Sequence, residues 1–342
     1  MDDTTDTRLI EAGFPCHQVG AETQRERGSS NVMPPVYYLH VWWARRPLIP
    51  SRAAILASLL PASTDPATFV RRLGIECVQA LVHGEPWTLT GKLLERIELR
   101  AGREVLPIDD FVLRALADEQ ARRLANLEII EQLHAQQPDL RSDPVMMRWG
   151  AECQPLAELL PLIDDVLPIQ RSAADPAWAN ERIAFENAHK IRTPEDKYQY
   201  PRAYSHPPEY AATGLTVLDP TSGGGSIPFE ALRLGHRVIA NELNPVATAI
   251  LYATLDYPAR YGQTLSDGIE RWGQAMLADM RGQIADLFPP SPIAEPHLSR
   301  LQKPLRPYSS GRRTVLDRGP GRISLHPPSH LKAINPGVSP FR

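Results

Sequence analysis

Between residues 110 and 136 the apolar positions recur at spacings of three and four: Val112, Leu113, Leu116, Leu124, Leu127, Ile130 and Leu133, with charges between them. That period predicts one long amphipathic helix, Asp110 to Gln136, packing a single face on its neighbours. A denser apolar run, Ala53 to Leu60, closed by Pro61, predicts a second helix. Further on the apolar runs become too short for helices. Leu215 to Leu218, with β-branched Thr216 and Val217 and bounded by Asp219-Pro220, predicts a buried parallel strand, and Val238 to Ala240 predicts another. Between them Phe229 to Leu234 predicts a helix with Ser226 as its cap, Pro228 in its first turn and Gly235 as a left-handed stop. Two more helices are predicted after Pro245: Val246 to Leu255, and Leu265 to Phe288, the latter stopped by Pro289-Pro290. Asp143-Pro144, Asp175-Pro176 and the stretch Pro201 to Pro208 read as loops. No internal repeat is evident.

These elements predict an α/β chain in four parts: a mixed segment 1–60, a helical region 61–205, a strand-loop-helix-strand portion 206–302 and a tail 303–342. The tail loses its apolar period and turns Arg-, Ser-, Pro- and Gly-rich, as in Ser309-Ser-Gly-Arg-Arg313, so it is expected to be disordered.

The chemistry concentrates in 215–245. A strand ending in an acid, Asp219, runs into Gly223, Gly224 and Gly225, whose missing side chains let a ligand lie against the main chain. The next strand ends near a second acid, Glu242, placed where a carboxylate accepts from both hydroxyls of a ribose. A phosphate-binding loop would need Lys-Ser/Thr after the glycines, and none is present. A dinucleotide loop would need a third glycine where Pro228 stands and would suffer repulsion between Asp219 and the pyrophosphate. An acid at that place suits a ligand with a cationic amino-acid end, such as S-adenosylmethionine (SAM). A purely structural glycine turn stands as the other reading.

At 342 residues and 42% hydrophobic composition the chain can build two cores. Its net charge of −3 supplies no global field for nucleic acid, so any such contact must come from local clusters of Arg25, Arg27, Arg45, Arg46 and Arg52. Cys16, Cys77 and Cys153 lie too far apart for a disulfide framework or a zinc site. There is no apolar run of membrane-spanning length and no signal sequence after the opening Asp-Asp-Thr-Thr-Asp, so a cytoplasmic protein is expected.

The loop Asp219-Pro-Thr-Ser-Gly-Gly-Gly-Ser-Ile-Pro-Phe-Glu-Ala-Leu-Arg-Leu-Gly235 with Asn241-Glu-Leu-Asn-Pro-Val-Ala247 resembles the cofactor region of adenine-specific DNA methyltransferases of the DUF1156 type. Leu9-Ile-Glu-Ala12, Gln24-Arg-Glu-Arg-Gly28, Leu39-His-Val-Trp-Trp-Ala-Arg-Arg-Pro-Leu48 and Ser51-Arg-Ala-Ala54 resemble the segment that defines the family, and the matches together span roughly residues 8–290. The resemblance implies a Rossmann-like, incomplete SAM-dependent methyltransferase domain acting on DNA at adenine N6, with a role in restriction-modification or phage defence. Asp219, Gly223 and Gly225 would hold the methionine end of SAM and Glu242 the ribose, with Pro220, Gly224 and Asn244 completing the cofactor set.

Trp42, Trp43, Arg45 and Arg46 have two readings. They can stack on bases and meet phosphates, or they can be a buried aromatic pair with arginines paired inside the fold, which is the commoner fate of such a cluster. The family's Asp/Asn-Pro-Pro-aromatic turn, which would hold a flipped adenine, is not found after the cofactor loop. His206-Pro-Pro-Glu-Tyr210 and His326-Pro-Pro-Ser329 lack the acid or amide and read as proline turns. The expectation is a chain truncated or frame-shifted near residue 303, or one whose catalytic half comes from a second polypeptide. Other readings are a non-catalytic SAM-binding or DNA-associated subunit, an inactive remnant, and an RNA methyltransferase, since the cofactor loop does not distinguish substrates.

Overall fold

The chain divides into two units, Met1–Pro34 with Pro47–Pro208, and Pro35–Arg46 with Glu209–Arg342. The computed structural model describes residues 7–28, 33–34, 36–40, 46–97, 104–156, 165–206, 215–284 and 323–326. No division falls at residue 60, because the first helices pack with residues as distant as Ala203.

Those helices are α1 (Cys16–Arg27), α2 (Val36–Leu39), which belongs to the second unit, α3 (Leu48–Leu59) and α4 (Pro66–Arg72). Helix α3 starts behind Pro47 with no side-chain cap of its own. Its orphan N–H groups are met from outside: Leu48 N and Ile49 N donate to the two carboxylate oxygens of buried Glu26, at 2.8 and 3.1 Å. One turn earlier Glu22, also fully buried, accepts from the Tyr200 hydroxyl and from Ala203 N. Arg25 lies over the Tyr198 and Tyr200 rings, 4.0 and 4.4 Å from their centroids, and donates to the Tyr200 carbonyl. Arg52, buried completely, donates to the carbonyls of Leu73 and Ala203. Arg25 and Arg52 are therefore withdrawn from the basic cluster proposed for nucleic acid. Both are buried, and their hydrogen bonds tie α1 and α3 to the 198–203 segment and, through Arg52, to Leu73.

The region 61–205, expected to be helical, carries a four-stranded antiparallel sheet. Its strands are β1 (Glu76–Val82), β2 (Glu85–Thr88), β3 (Val105–Pro107) and β4 (Val166–Ala173), in the order β2-β1-β4-β3. His83 and Gly84 both take positive φ, the geometry of a two-residue turn whose twist matches a hairpin, and Val82 pairs with Glu85 across it. Val78, Ala80 and Val82 alternate inward onto Trp87, Leu106, Leu167 and the first turns of α6 (Asp110–Gln136), which follows α5 (Gly91–Arg96). The far end of α6 packs Ile130 and Leu133 on Met146, Trp149, Trp178 and Phe185 from α7 (Pro144–Glu152) and α8 (Pro176–Ala188). Asp143-Pro144 and Asp175-Pro176, expected to be loops, begin these two helices. Each aspartate accepts from N–H groups of the first turn, and each proline occupies a position whose N–H would be unpaired anyway.

The second unit is built on parallel strands β5 (Thr216–Asp219) and β6 (Arg237–Asn241), joined by α9 (Ser226–Arg233). Beyond β6 come α10 (Pro245–Leu251), a widened helical turn over Tyr252–Asp256, and α11 (Tyr257–Ile284), interrupted at Gly262. A third parallel strand, β7 (Ile323–His326), pairs with β6, Val238 opposite Ile323 and Asn241 opposite His326. It lies inside the tail expected to be disordered: four residues suffice for pairing against an existing edge, though they are too few to make a periodic signal. Leu234, Val238, Ala240, Ala247, Leu251 and Leu255 form the buried apolar side of this unit. The architecture is mixed α and β, with one antiparallel and one parallel sheet among the described residues. No described helix is long and apolar enough to cross a membrane.

His236, between α9 and β6, is buried with neither ring nitrogen hydrogen-bonded, and burial holds its pKa below the ordinary 6.5. The unfolded chain then takes up this proton more readily than the fold does. The second unit should keep its full stability above pH 6.5 and lose it as the pH falls below, by at most about 1.4 kcal/mol per pH unit. Thermal melts from pH 7.5 to 5 check this: His236→Leu should flatten that decline, and an unchanged slope would show that other groups cause it.

Candidate cofactor site

Asp219 ends β5, Glu242 follows the last residue of β6, and parallel pairing sets Asp219 beside Ala240, so the two acids stand at the same edge of the sheet. The loop between β5 and α9 is laced to the end of β6 by three hydrogen bonds. Ser222 N donates to the Asn241 carbonyl at 3.0 Å, Asn241 Nδ2 donates to the Pro220 carbonyl at 2.9 Å, and Gly223 N donates to Glu242 Oε2 at 2.6 Å. Gly223 and Gly225 take φ of +53° and +82°, which side chains rarely adopt. Gly225, and not the expected Ser226, stands at the cap position of α9, and Ser226 is the first residue inside the helix. A Cβ on Gly225 would lie 2.6 Å from Leu251 Cδ2, so this glycine is also required by the packing of α10 beneath the loop.

The two carboxylates differ in environment. Asp219 is nearly buried; its Oδ1 accepts from Thr221 N, and its carbonyl accepts from Ser222 Oγ. Burial raises its pKa above the ordinary carboxylate value, the like charge of Glu242 adding to the effect. Glu242 has the opposite shift. The N–H of Asn244, with those of Gly223 and Leu243, stabilises its charged form and lowers its pKa. Each acceptor oxygen has two lone pairs; Oε1 uses both on Leu243 N and Asn244 N, so Oε2, which accepts from Gly223 N, keeps one for a ligand hydroxyl. Asn244 caps α10 through its side chain, accepting from Val246 N at 2.9 Å.

The structure thus brings Asp219, Pro220, Gly223, Gly224, Gly225, Glu242 and Asn244 to one place. Of the aromatic and basic cluster, Trp42, Trp43 and Arg45 lie outside the described residues. Arg46 is exposed, and its carbonyl accepts from the Tyr37 hydroxyl at 2.7 Å. His206 closes a turn whose following prolines lie outside the described residues, and His326 ends β7. Sequence reasoning missed Ser222 and Asn241, which lock the loop, because their roles depend on which strand lies beside β5. It also missed Leu243, 74% exposed beside Glu242, with Val246 and Ile227 exposed nearby in sequence. An apolar residue directly after Glu242 was the available signal. Among the described residues no group of three or more His, Cys, Asp or Glu is placed to hold a metal.

Residues 13–74 match the model of the DUF1156 family, described as a protein of unknown function. The match runs from just before α1 to just after α4, and so includes the Glu22, Arg25, Glu26 and Arg52 network. No curated protein and no solved structure matches the chain.

Proposed function

We propose that this DUF1156-type chain binds SAM at the carboxyl edge of β5 and β6 and serves a methyl transfer to nucleic acid, with a Rossmann-like methyltransferase domain as its second unit. One observation carries the reading: two acids flank the glycine loop, and among the described residues neither has a cationic partner. Such a site repels a pyrophosphate and attracts a ligand that brings its own positive charge, as SAM does with its ammonium and sulfonium groups.

In this reading Asp219 and the loop backbone hold the cationic methionine end, Glu242 Oε2 accepts from a ribose hydroxyl, and Leu243 offers an apolar surface to the purine. Bound SAM supplies an electrophilic methyl group: the attacking amine forms the new N–C bond, the C–S bond breaks with its electron pair left on sulfur, and the amine releases a proton. The site residues contribute by orienting the methyl group; no covalent enzyme intermediate is required. DNA adenine N6 as the acceptor rests on the resemblance of the loop and N-terminal motifs. Competition between duplex DNA and structured RNA at fixed salt separates the two nucleic-acid readings.

The deciding experiment is calorimetric titration of the purified chain with SAM and, separately, with NAD. Micromolar binding of SAM without binding of NAD is expected. Preference for NAD, or binding of neither, would defeat the proposal.

A further inference from the structure

Helix α11 is the longest element of the second unit, yet none of its 28 residues is buried. Gly262, at φ 52° and ψ −130°, breaks it from the preceding turn, and the remaining arm 263–284 runs about 33 Å at helical rise. Ile269, Trp272 and Met276 are 65, 68 and 61% exposed, and Leu277 and Met280 are nearly half exposed. At helical spacing these residues fall on one face with Leu265, Gly273 and Ile284. Most helical stability in proteins comes from packing such a face, so an arm of this length with its stripe in water needs a cover.

The charges on the arm indicate what kind of cover. Asp267, Glu270 and Asp279 outnumber Arg271 and Arg281, which gives no attraction to an anionic membrane surface. Glu270 and Arg281 lie on the same edge of the stripe, about 100° and 120° round the helix from Ile269, whereas Asp279 lies on the other edge. Among the described residues neither Glu270 nor Arg281 has an ion-pair partner. In a two-fold antiparallel pair centred on Ala275, like edges meet and residues equidistant from the centre face each other to within about one residue. Glu270 then meets Arg281 of the other copy, twice over; Ile269 meets Met280, and Gly273 makes room for Met276. A parallel in-register pair would instead face the Glu270 edge with the edge that carries Asp279: Arg281 would come opposite Asp279, Glu270 would meet no basic residue, and exchanging the Glu270 and Arg281 charges would not restore that pair.

We infer that the Ile269, Trp272, Met276 and Met280 face of α11 docks against the same face of a second copy of this chain, with the two helices antiparallel. The inference is independent of the cofactor reading, since no residue of the site takes part.

Sedimentation equilibrium of the full chain at micromolar concentration tests it. A dimer is expected, and Met276→Glu should weaken it by at least about tenfold by placing charge in the seam. Glu270→Arg alone and Arg281→Glu alone should each weaken the dimer, and the double variant Glu270→Arg with Arg281→Glu should restore it, an outcome that misfolding would not give. A monomeric wild-type chain would mean that another segment, another protein or a lipid surface covers the stripe, and would overturn the inference. A dimer indifferent to Met276→Glu, or charge variants without mutual rescue, would overturn it equally.

Discussion

Glu242→Ala is expected to weaken SAM binding by roughly 1.5–3 kcal/mol, about ten- to a hundredfold, the scale of hydrogen bonds to a charged group. The loss has two sources. The carboxylate would no longer accept from a ribose hydroxyl, and Gly223, Leu243 and Asn244 would each lose the acceptor that now fixes their N–H groups. The second loss acts before any ligand arrives: the glycine loop is released from β6 on one of its three ties, and ordering it becomes part of the binding step. Glu242→Gln keeps one acceptor oxygen and should therefore fall between Ala and the native residue. Asp219→Asn separates charge from geometry, since the amide oxygen can still accept from Thr221 N while the attraction for a cationic ligand is gone. The same contrast is accessible by pH. Burial has raised the pKa of Asp219, whereas backbone N–H groups have lowered that of Glu242, so neutralisation of Asp219 is moved to higher pH and that of Glu242 to lower pH. SAM affinity should decline as falling pH neutralises Asp219, and Asp219→Asn should remove that part of the decline. Calorimetry across pH checks both. Native affinity in Glu242→Ala and Asp219→Asn together would place the ligand elsewhere.

The parallel unit was largely legible because its signals are local. Asp219-Pro, three glycines and Gly235 are punctuation that few backbones other than strand-turn-helix accommodate, and β5, α9 and β6 lie close to where that punctuation puts them. Helix α6 was legible for a different reason, its long unbroken period. The antiparallel sheet was missed because its strands are weakly patterned. β4 carries Pro168, Gln170, Arg171 and Ser172, and β1 mixes Glu76 and Gln79 with its apolar positions; pairing across some ninety residues, not composition, makes them strands. The usable clue was short: alternating Val78, Ala80 and Val82 before His83-Gly84. The three-way lacing of the glycine loop could not be read at all, since Asn241 becomes its partner only once β6 lies beside β5.

Glu22→Leu is expected to destabilise the first unit by about 3–5 kcal/mol, the cost of removing one partner from a buried ion pair. Glu22 is fully buried, its Oε2 stands 3.6 Å from Arg25 Nη1, and the same carboxylate accepts from the Tyr200 hydroxyl and Ala203 N. Leucine is close enough in volume to avoid a large cavity. The cost therefore comes from leaving a guanidinium without its counter-charge, and a phenol and a backbone N–H without their acceptor, inside the fold. The cation-π contacts of Arg25 with Tyr198 and Tyr200 would remain but cannot replace a counter-charge. Glu22→Gln, which retains an acceptor oxygen, should cost less. This result bears on what the Gln24-Arg-Glu-Arg segment is for. If it is a structural clamp, Arg25→Ala will lower the urea midpoint of unfolding and leave nucleic-acid affinity where it was. If Arg25→Ala instead lowers nucleic-acid affinity at unchanged stability, the guanidinium is exposed in solution and the network around Glu22 does not form. Parallel urea titrations and binding isotherms on Glu22→Leu, Glu22→Gln and Arg25→Ala distinguish the two, because the clamp predicts that all three variants shift in stability in the order Leu above Gln, with no change in binding.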